Sequence, residues 1–277
     1  MRFVYFGYDF MLPSVQRLLQ DGHELIGIFS FECDNIFNFN SNTKKLAENL
    51  DIPFTQNKPL PIDIDVFVKN NADVFFSAGY PFKIPPINND AAYGINFHPS
   101  MLPKGRGIMP TPTIIMKHPE ASGMSVHKLT QHFDEGDILD QMAIPLGADD
   151  DVETFSAKLS MRAPDFISRI FKNLPELWKN AKPQDHKKAS TFPMPDEKMR
   201  LMDWNKTVGE IKKTGQAFGR FGALARFDNK IWAVYNFKGW VEAHHYKPGD
   251  IVCVLSREIV IAAKDGFICL KDFQELR

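Results

Sequence analysis

A short apolar run that ends in two polar side chains and a proline constrains this chain more than any other feature. It reads Gly94-Ile95-Asn96-Phe97-His98-Pro99-Ser100-Met101-Leu102-Pro103-Lys104-Gly105-Arg106-Gly107. As a strand it sends alternate side chains to opposite faces, so Asn96 and His98 leave one face together. Pro99 has no backbone N–H to give and ends the strand. Open α/β sheets place their chemistry beyond the carboxyl ends of their strands, where an amide and an imidazole would here emerge side by side. Asp134 follows a second apolar-rich segment in Phe133-Asp134-Glu135-Gly136-Asp137-Ile138-Leu139 and is expected at another strand-to-loop junction, within reach of both.

Each of these side chains has a chemical use. A neutral imidazole takes a proton from an attacking nucleophile, and a carboxylate orients the ring and stabilises its charged form. An Asn NH2 donates to an oxygen that turns negative as a carbonyl becomes tetrahedral. The stretch carries no evident Ser or Cys nucleophile, so the substrate is expected to bring its own.

The rest of the chain supplies a setting for such a strand. Arg2 to Phe6 and Glu24 to Phe29 are expected strands flanking a helix from Pro13 to Gln20, whose apolar face is Val15, Leu18 and Leu19. Gly7 stands alone in the first turn, where a dinucleotide fingerprint needs three glycines, so no nicotinamide cofactor is expected. Alternation continues with a helix at Lys44 to Leu50, a strand at Ile52 to Thr55, a helix including Asp65 to Lys69, a strand at Val74 to Phe76, a helix from Met109 to Met116 and a strand from Gly123 to His127. From Val152 to Trp178 apolar residues recur every three to four positions, a core-facing helical stripe that Pro164 should kink. Asp149 to Asp151 precede it as capping acids. The fold class expected is α/β, a Rossmann-like, mostly parallel sheet, over residues 1–181.

Residues 182–198 are rich in Lys and Pro without periodicity and read as a linker. Beyond it Asp203 is expected to cap a helix from Trp204 to Phe218. Short alternating segments follow near Ala223 to Phe227, Ile231 to Asn236, Val241 to Tyr246, Ile251 to Leu255, Ile259 to Ala263 and Phe267 to Lys271. They predict a small antiparallel β domain over 199–277. The three cysteines, Cys33, Cys253 and Cys269, form neither a disulfide framework nor a metal spacing, and His118, His127 and His132 read as structural or exposed. No apolar run reaches 18 residues and the N-terminus goes directly into a strand, so the expectation is a cytoplasmic protein with no membrane partner and no metal. Charge is uneven: residues 1–180 hold 16 Lys and Arg against 22 Asp and Glu, and 181–277 hold 17 against 12.

The two motif halves, Asn96-x-His98-Pro99-Ser100-Met101-Leu102-Pro103 with Arg106-Gly107, then Asp134 to Leu139, closely resemble the folate-dependent formyltransferase family in order and spacing. That resemblance implies that 10-formyltetrahydrofolate, as cosubstrate, gives its formyl group to a primary amine, with Asn96, His98 and Asp134 catalytic. It also implies folate contacts at Tyr80, Phe82, Lys83, Ile84, Ser100, Leu102, Pro103, Asp134 and Asp137, the loop from Ser77 to Pro85 wrapping the pterin. The segments near Pro248-Gly249-Asp250 and Asp265-Gly266 resemble the OB-like C-terminal domain of family members, here abbreviated. Family acceptors include nucleotide-linked amino sugars, amino-acid amines, glycinamide ribonucleotide and methionyl-tRNA. Gly105 departs from the bulky aromatic usual before Arg-Gly, and Pro112 and His118 depart from the usual following helix. The loop Phe31 to Thr43 is acidic and aromatic and has no Lys or Arg, whereas contact with a phosphate backbone needs such charge. A small amine acceptor is therefore favoured; methionyl-tRNA, suggested by the basic C-terminal part, and hydrolysis of the formyl donor are the alternatives.

Overall fold

The computed structural model describes residues 1–35, 38–88, 90–227 and 229–276. Seven strands form one sheet: β1 (Arg2–Gly7), β2 (Glu24–Phe29), β3 (Phe54–Thr55), β4 (Val74–Ala78), β5 (Tyr93–His98), β6 (Gly123–Lys128) and β7 (Ile138–Ala143). Their order is β3-β2-β1-β4-β5-β6-β7. The pairs from β3 to β5 are parallel; β6 and β7 join antiparallel. Strands buried on both faces read as unbroken apolar runs, and Phe3, Phe6, Phe75, Phe76 and Phe97 are all sealed in the interior. Phe6 stacks on Phe29 with ring centres 4.8 Å apart. The crossovers carry α1 (Leu12–Gln20), α2 (Ser41–Leu50) and α3 (Pro61–Lys69). Prolines stand in the first turns of α1 and α3, where a missing N–H costs no helical bond.

The chain divides by its contacts into two compact units, the first comprising residues 1–110, 121–145 and 157–192, the second 111–120, 146–156 and 193–277. The second thus includes α4 (Thr111–Lys117) and the start of α5 (Val152–Lys172). Pro164 lies inside α5 and the helix continues past it; the expected single helix breaks instead at Asn173, before α6 (Leu174–Lys179). Residues 182–192, expected as the first part of the linker, pack within the first unit. Lys182 and Ile138 exchange two backbone hydrogen bonds, at 2.8 and 2.9 Å.

In the second unit α7 (Glu197–Arg200) is capped by Asp196. The next helix, α8 (Val208–Phe218), starts later than expected because Thr207 and Glu210 form a reciprocal capping box. Asp203 instead accepts from the Asn205 backbone N–H in the preceding turn. Five antiparallel strands follow: β8 (Ala223–Phe227), β9 (Lys230–Val241), β10 (Ile251–Val254), β11 (Ile259–Ala262) and β12 (Gly266–Glu275), in the order β10-β11-β12-β9-β8. The strand expected at 231–236 runs on to Val241 as β9, paired along β12 with register shifts on either side of Asp272, whereas the strand expected at 241–246 does not form beyond Val241. Ile211, Phe218, Ala225, Val234 and Ile268 share this unit's core.

Candidate active site

β5 delivers Asn96 and His98 to the end of the sheet, and the loop between β6 and β7 brings Asp134 to them. His98 is 4% exposed and Asp134 8%, so their charges interact with little solvent screening. His98 Nε2 lies 2.7 Å from the carbonyl oxygen of Gly105. A carbonyl only accepts, so Nε2 carries the proton and Nδ1 is the basic nitrogen. That Nδ1 faces Asp134 Oδ1 at 3.4 Å. Burial pushes the His98 imidazole toward its neutral form, opposed by the Asp134 charge and the Gly105 carbonyl, and its pKa lies below the usual histidine value. Burial opposes ionisation of Asp134 as well, but the neighbouring His98, His127 and the Gly107 N–H outweigh it and hold the carboxyl at about 2. The result is a neutral base beside a fixed negative charge.

Asp134 takes this position through a left-handed backbone, φ 56°, a region uncommon for non-glycine residues that Asp and Asn enter most readily. Its Oδ2 accepts from the Gly107 N–H at 2.9 Å. Gly107 has φ 114°, and a Cβ there would lie 2.7 Å from the Phe192 carbonyl oxygen, so glycine is required.

Asn96 is oriented by a residue to which the sequence assigned no role. His127 stands directly opposite Asn96 in the β5–β6 register, and its Nε2 lies 3.0 Å from Asn96 Nδ2. His127 Nδ1 is 2.8 Å from the Lys128 carbonyl oxygen, which fixes the proton on Nδ1 and leaves Nε2 as the acceptor. The NH2 end of Asn96 therefore points toward His127 and toward Asp134 Oδ1, 3.5 Å away. One signal was present in the sequence: Ser125 and His127 are two apart on a strand and so share a face. Only the register places that face against Asn96 and His98.

Residues 99–107 are held from below. Ser125 Oγ donates to the Ser100 carbonyl oxygen at 2.6 Å and accepts from the Leu102 N–H at 3.1 Å. Gln141 Nε2 donates to the Leu102 carbonyl oxygen and to Ser125 Oγ, both at 2.8 Å. Ser100 Oγ donates to the Lys104 carbonyl oxygen, and the Leu102–Pro103 peptide is cis.

The expected folate contacts divide into groups. Ile84 lines a cleft with Pro85, Pro86, Ile87, Leu129 and Gln131; Gly94 on its wall lies two residues before Asn96 on β5. Ser100, Leu102 and Pro103 belong to the braced loop. Phe82 lies under the Lys58 ammonium, 4.6 Å from its ring centre, and Lys83 approaches the Phe133 ring. Asp137 pairs with Lys128 at 3.3 Å. Tyr80 is different: its ring packs in the core against Phe6, Phe31 and Phe82, and its hydroxyl has no partner among the described residues. His132 is exposed and His118 half-buried beside Glu120, and neither takes part in the cluster. Among the described residues no group of His, Cys, Asp and Glu has metal-holding geometry, and no helix is long and apolar enough to cross a membrane.

A mostly parallel sheet with an Asn, His and Asp cluster at a strand end, followed by an antiparallel domain, is the architecture expected of a formyl-transfer enzyme. The chain belongs to the formyl transferase family: residues 46–171 match the family's formyl transferase model and 196–276 match that of its C-terminal domain. The chain is 24% identical over 277 residues to methionyl-tRNA formyltransferase of Coxiella burnetii, covering 96% of this chain and 88% of that protein. Among solved structures it resembles an N-formyltransferase from Helicobacter canadensis crystallised with folinic acid and dTDP-3-aminofucose, with a TM-score of 0.69, 17% identity and 99% of each chain covered. It also resembles HypX from Aquifex aeolicus, TM-score 0.71 and 16% identity; all of this chain is covered, yet it spans only 46% of that protein.

Proposed function

We propose that this protein transfers a formyl group from 10-formyltetrahydrofolate to the primary amine of a small acceptor, a nucleotide-linked amino sugar or an amino-acid-like amine. The observation that carries the reading is the buried convergence of the His98 base, the Asp134 counter-charge and the Asn96 NH2 within 3.5 Å of one carboxylate oxygen. The hydroxyls nearest the cluster in sequence and register, Ser100 and Ser125, are both committed to backbone carbonyls. An amine acceptor supplies the nucleophile instead. The cleft lined by Ile84, Ile87, Gly94, Leu129, Thr130 and Gln131, whose walls mix polar and apolar surface, is the seat this reading gives the flat pterin ring, and the formyl donor supplies the electrophilic carbon.

In this reading Asn96 keeps one N–H on His127 and turns the other, which makes only a long 3.5 Å contact with Asp134 Oδ1, to the formyl oxygen as that oxygen gains negative charge. His98 accepts the proton that the attacking amine loses, and Asp134 stabilises the imidazolium so formed. His98 then returns the proton to the departing folate nitrogen, so the base is regenerated and no water is consumed. His127 keeps the Asn96 amide turned the right way.

The acceptor class is read from the loop at 31–43. Asp9 N–H donates to the Phe39 carbonyl oxygen at 2.8 Å, and the Asp9 carboxylate receives the Thr43 N–H at 2.8 Å, tying the loop to the end of β1. Tyr8 packs against Phe10 and Phe31, and Phe10 meets Phe97, which leaves the face of β5 opposite Asn96 and His98. Phe39 is exposed; Phe37, also expected in this surface, lies outside the described residues. A loop that presents Phe39 and has no Lys or Arg in its sequence from 31 to 43 suits a base or sugar ring better than a phosphate backbone. A methionyl-tRNA acceptor is the second reading, favoured by the Coxiella burnetii relative that aligns along 96% of the chain. The test is to incubate the protein with 10-formyltetrahydrofolate and a panel of amines, amino sugars and methionyl-tRNA, following tetrahydrofolate release and acceptor mass. A small amine outpacing water and tRNA supports the reading; tRNA outpacing every small amine replaces it.

A further inference from the structure

Gln184 is a buried side chain beside this cluster to which the reaction above gives no part. It sits in the aperiodic segment 182–192 and is 6% exposed. Its Nε2 donates to the carbonyl oxygens of Asp134 and Gly136, each at 2.8 Å. Its Oε1 accepts from Arg106 Nη2 at 2.8 Å and Nε at 3.2 Å. All the hydrogen-bonding capacity of the amide is thus used. Arg106 Nη1 reaches Glu135 at 3.0 Å, and the residue after Arg106 is Gly107, whose N–H holds the Asp134 carboxylate. Arg106, Gln184, Asp134 and Gly107 therefore close a ring of contacts around one turn.

That turn is the one that needs holding. Asp134 has φ 56°, a conformation Asp tolerates, but the direction of its carboxylate depends on how the turn carbonyls are fixed. Gln184 grips the turn by two carbonyls from one side. On the other side Gly136 packs so closely on the Lys128 carbonyl that no Cβ fits between them.

The geometry points to Gln184 as a positioning residue for formyl transfer: through the backbone of Asp134 it aims the carboxylate at His98, while touching neither reacting group. The inference rests on the role proposed above for Asp134. It also gives the segment between α6 and the second unit a part in the chemistry.

Two substitutions separate aim from bulk. Gln184→Glu preserves size and the acceptor for Arg106 but removes both donors to the Asp134 and Gly136 carbonyls. Gln184→Met preserves approximate volume, removes every hydrogen bond and adds no charge. Misplacing a catalytic group by about an ångström costs up to about a hundredfold, so kcat should fall about ten- to a hundredfold in both, with the KM for 10-formyltetrahydrofolate unchanged. The groups facing His98 are Asp134, His127 and the Gly105 carbonyl. Withdrawing the Asp134 charge lowers the His98 pKa, so the acid limb of kcat in Gln184→Met should move to lower pH. Melting curves and 5-formyltetrahydrofolate binding report the folded fraction, and rates are taken per folded molecule. If Gln184→Met does not fold, the split of kcat from KM in Gln184→Glu decides. Unchanged kcat per folded molecule, or a loss confined to folate KM, overturns the inference. The comparison with Asp134→Asn keeps the two readings apart. Full activity there removes the role of Asp134 itself, whereas a slow Asp134→Asn beside a fast, folded Gln184→Glu removes only the positioning by Gln184.

Discussion

Asp134→Asn tests the charge in the site with almost no change of shape. The Asn carbonyl oxygen can still accept from Gly107, and the left-handed backbone suits Asn as well as Asp. What disappears is a negative charge 3.4 Å from His98 Nδ1. At an effective dielectric of about 20, two unit charges at that separation attract by about 5 kcal/mol. If the imidazolium is half formed in the transition state, about half of this is lost, and if fully formed, all of it. At about 1.4 kcal/mol per factor of ten, kcat should fall by about 10² to 10⁴. Folate affinity, set elsewhere, should change little. Direction in pH gives a second check: without the carboxylate His98 holds its proton less tightly, so the acid limb of kcat should shift to lower pH. The assay is single-turnover formyl transfer with saturating 10-formyltetrahydrofolate across pH 5 to 9, roughly the range in which imidazoles titrate. A kcat within about threefold of the original, less than one factor of ten, or an acid limb that moves upward, would refute the charge argument.

Three further outcomes follow from the same geometry. His98→Ala should lower kcat by about 10² to 10⁴, and Asn96→Ala by about 10² to 10³, both with folate binding retained by equilibrium titration; loss of folate affinity alone would reassign them to binding. Stability should be acid-sensitive in two windows, because both shifted groups bind fewer protons folded than unfolded. His98, depressed from 6.5, costs stability as pH falls below that value. Asp134, depressed from 3.8 to about 2, contributes stability that is full above 3.8 and is lost as pH falls toward 2. Melting temperature against pH reads this, and His98→Gln should abolish the upper window and narrow the lower one, because against burial the His98 charge is what chiefly holds Asp134 low. Phe39→Ala should raise the acceptor KM several-fold, as loss of a stacking contact worth about 1 to 3 kcal/mol would, and spare the folate KM. A steep salt dependence of acceptor KM with indifference to Phe39 would favour tRNA.

The sequence by itself determined the strand carrying Asn96 and His98, because an alternating side-chain period and a terminating proline are local properties. It determined the α/β class for the same reason: the apolar runs of β1, β2 and β4 are written in consecutive residues. The family motif was legible because its two halves are contiguous strings. Where local signals competed, boundaries moved. The capping box at Thr207 and Glu210 overrode Asp203 as the start of α8, and cross-strand pairing with β12 kept β9 continuous through residues that read as a break. The tertiary structure alone decided what surrounds the cluster. His127 meets Asn96 because two antiparallel strands adopt one register, and register depends on every pair along the ladder. Gln184 reaches Asp134 across fifty positions of sequence, from a segment without periodicity, because its amide satisfies a buried guanidinium and two turn carbonyls at once. A demand of that kind exists only after the chain has folded around it.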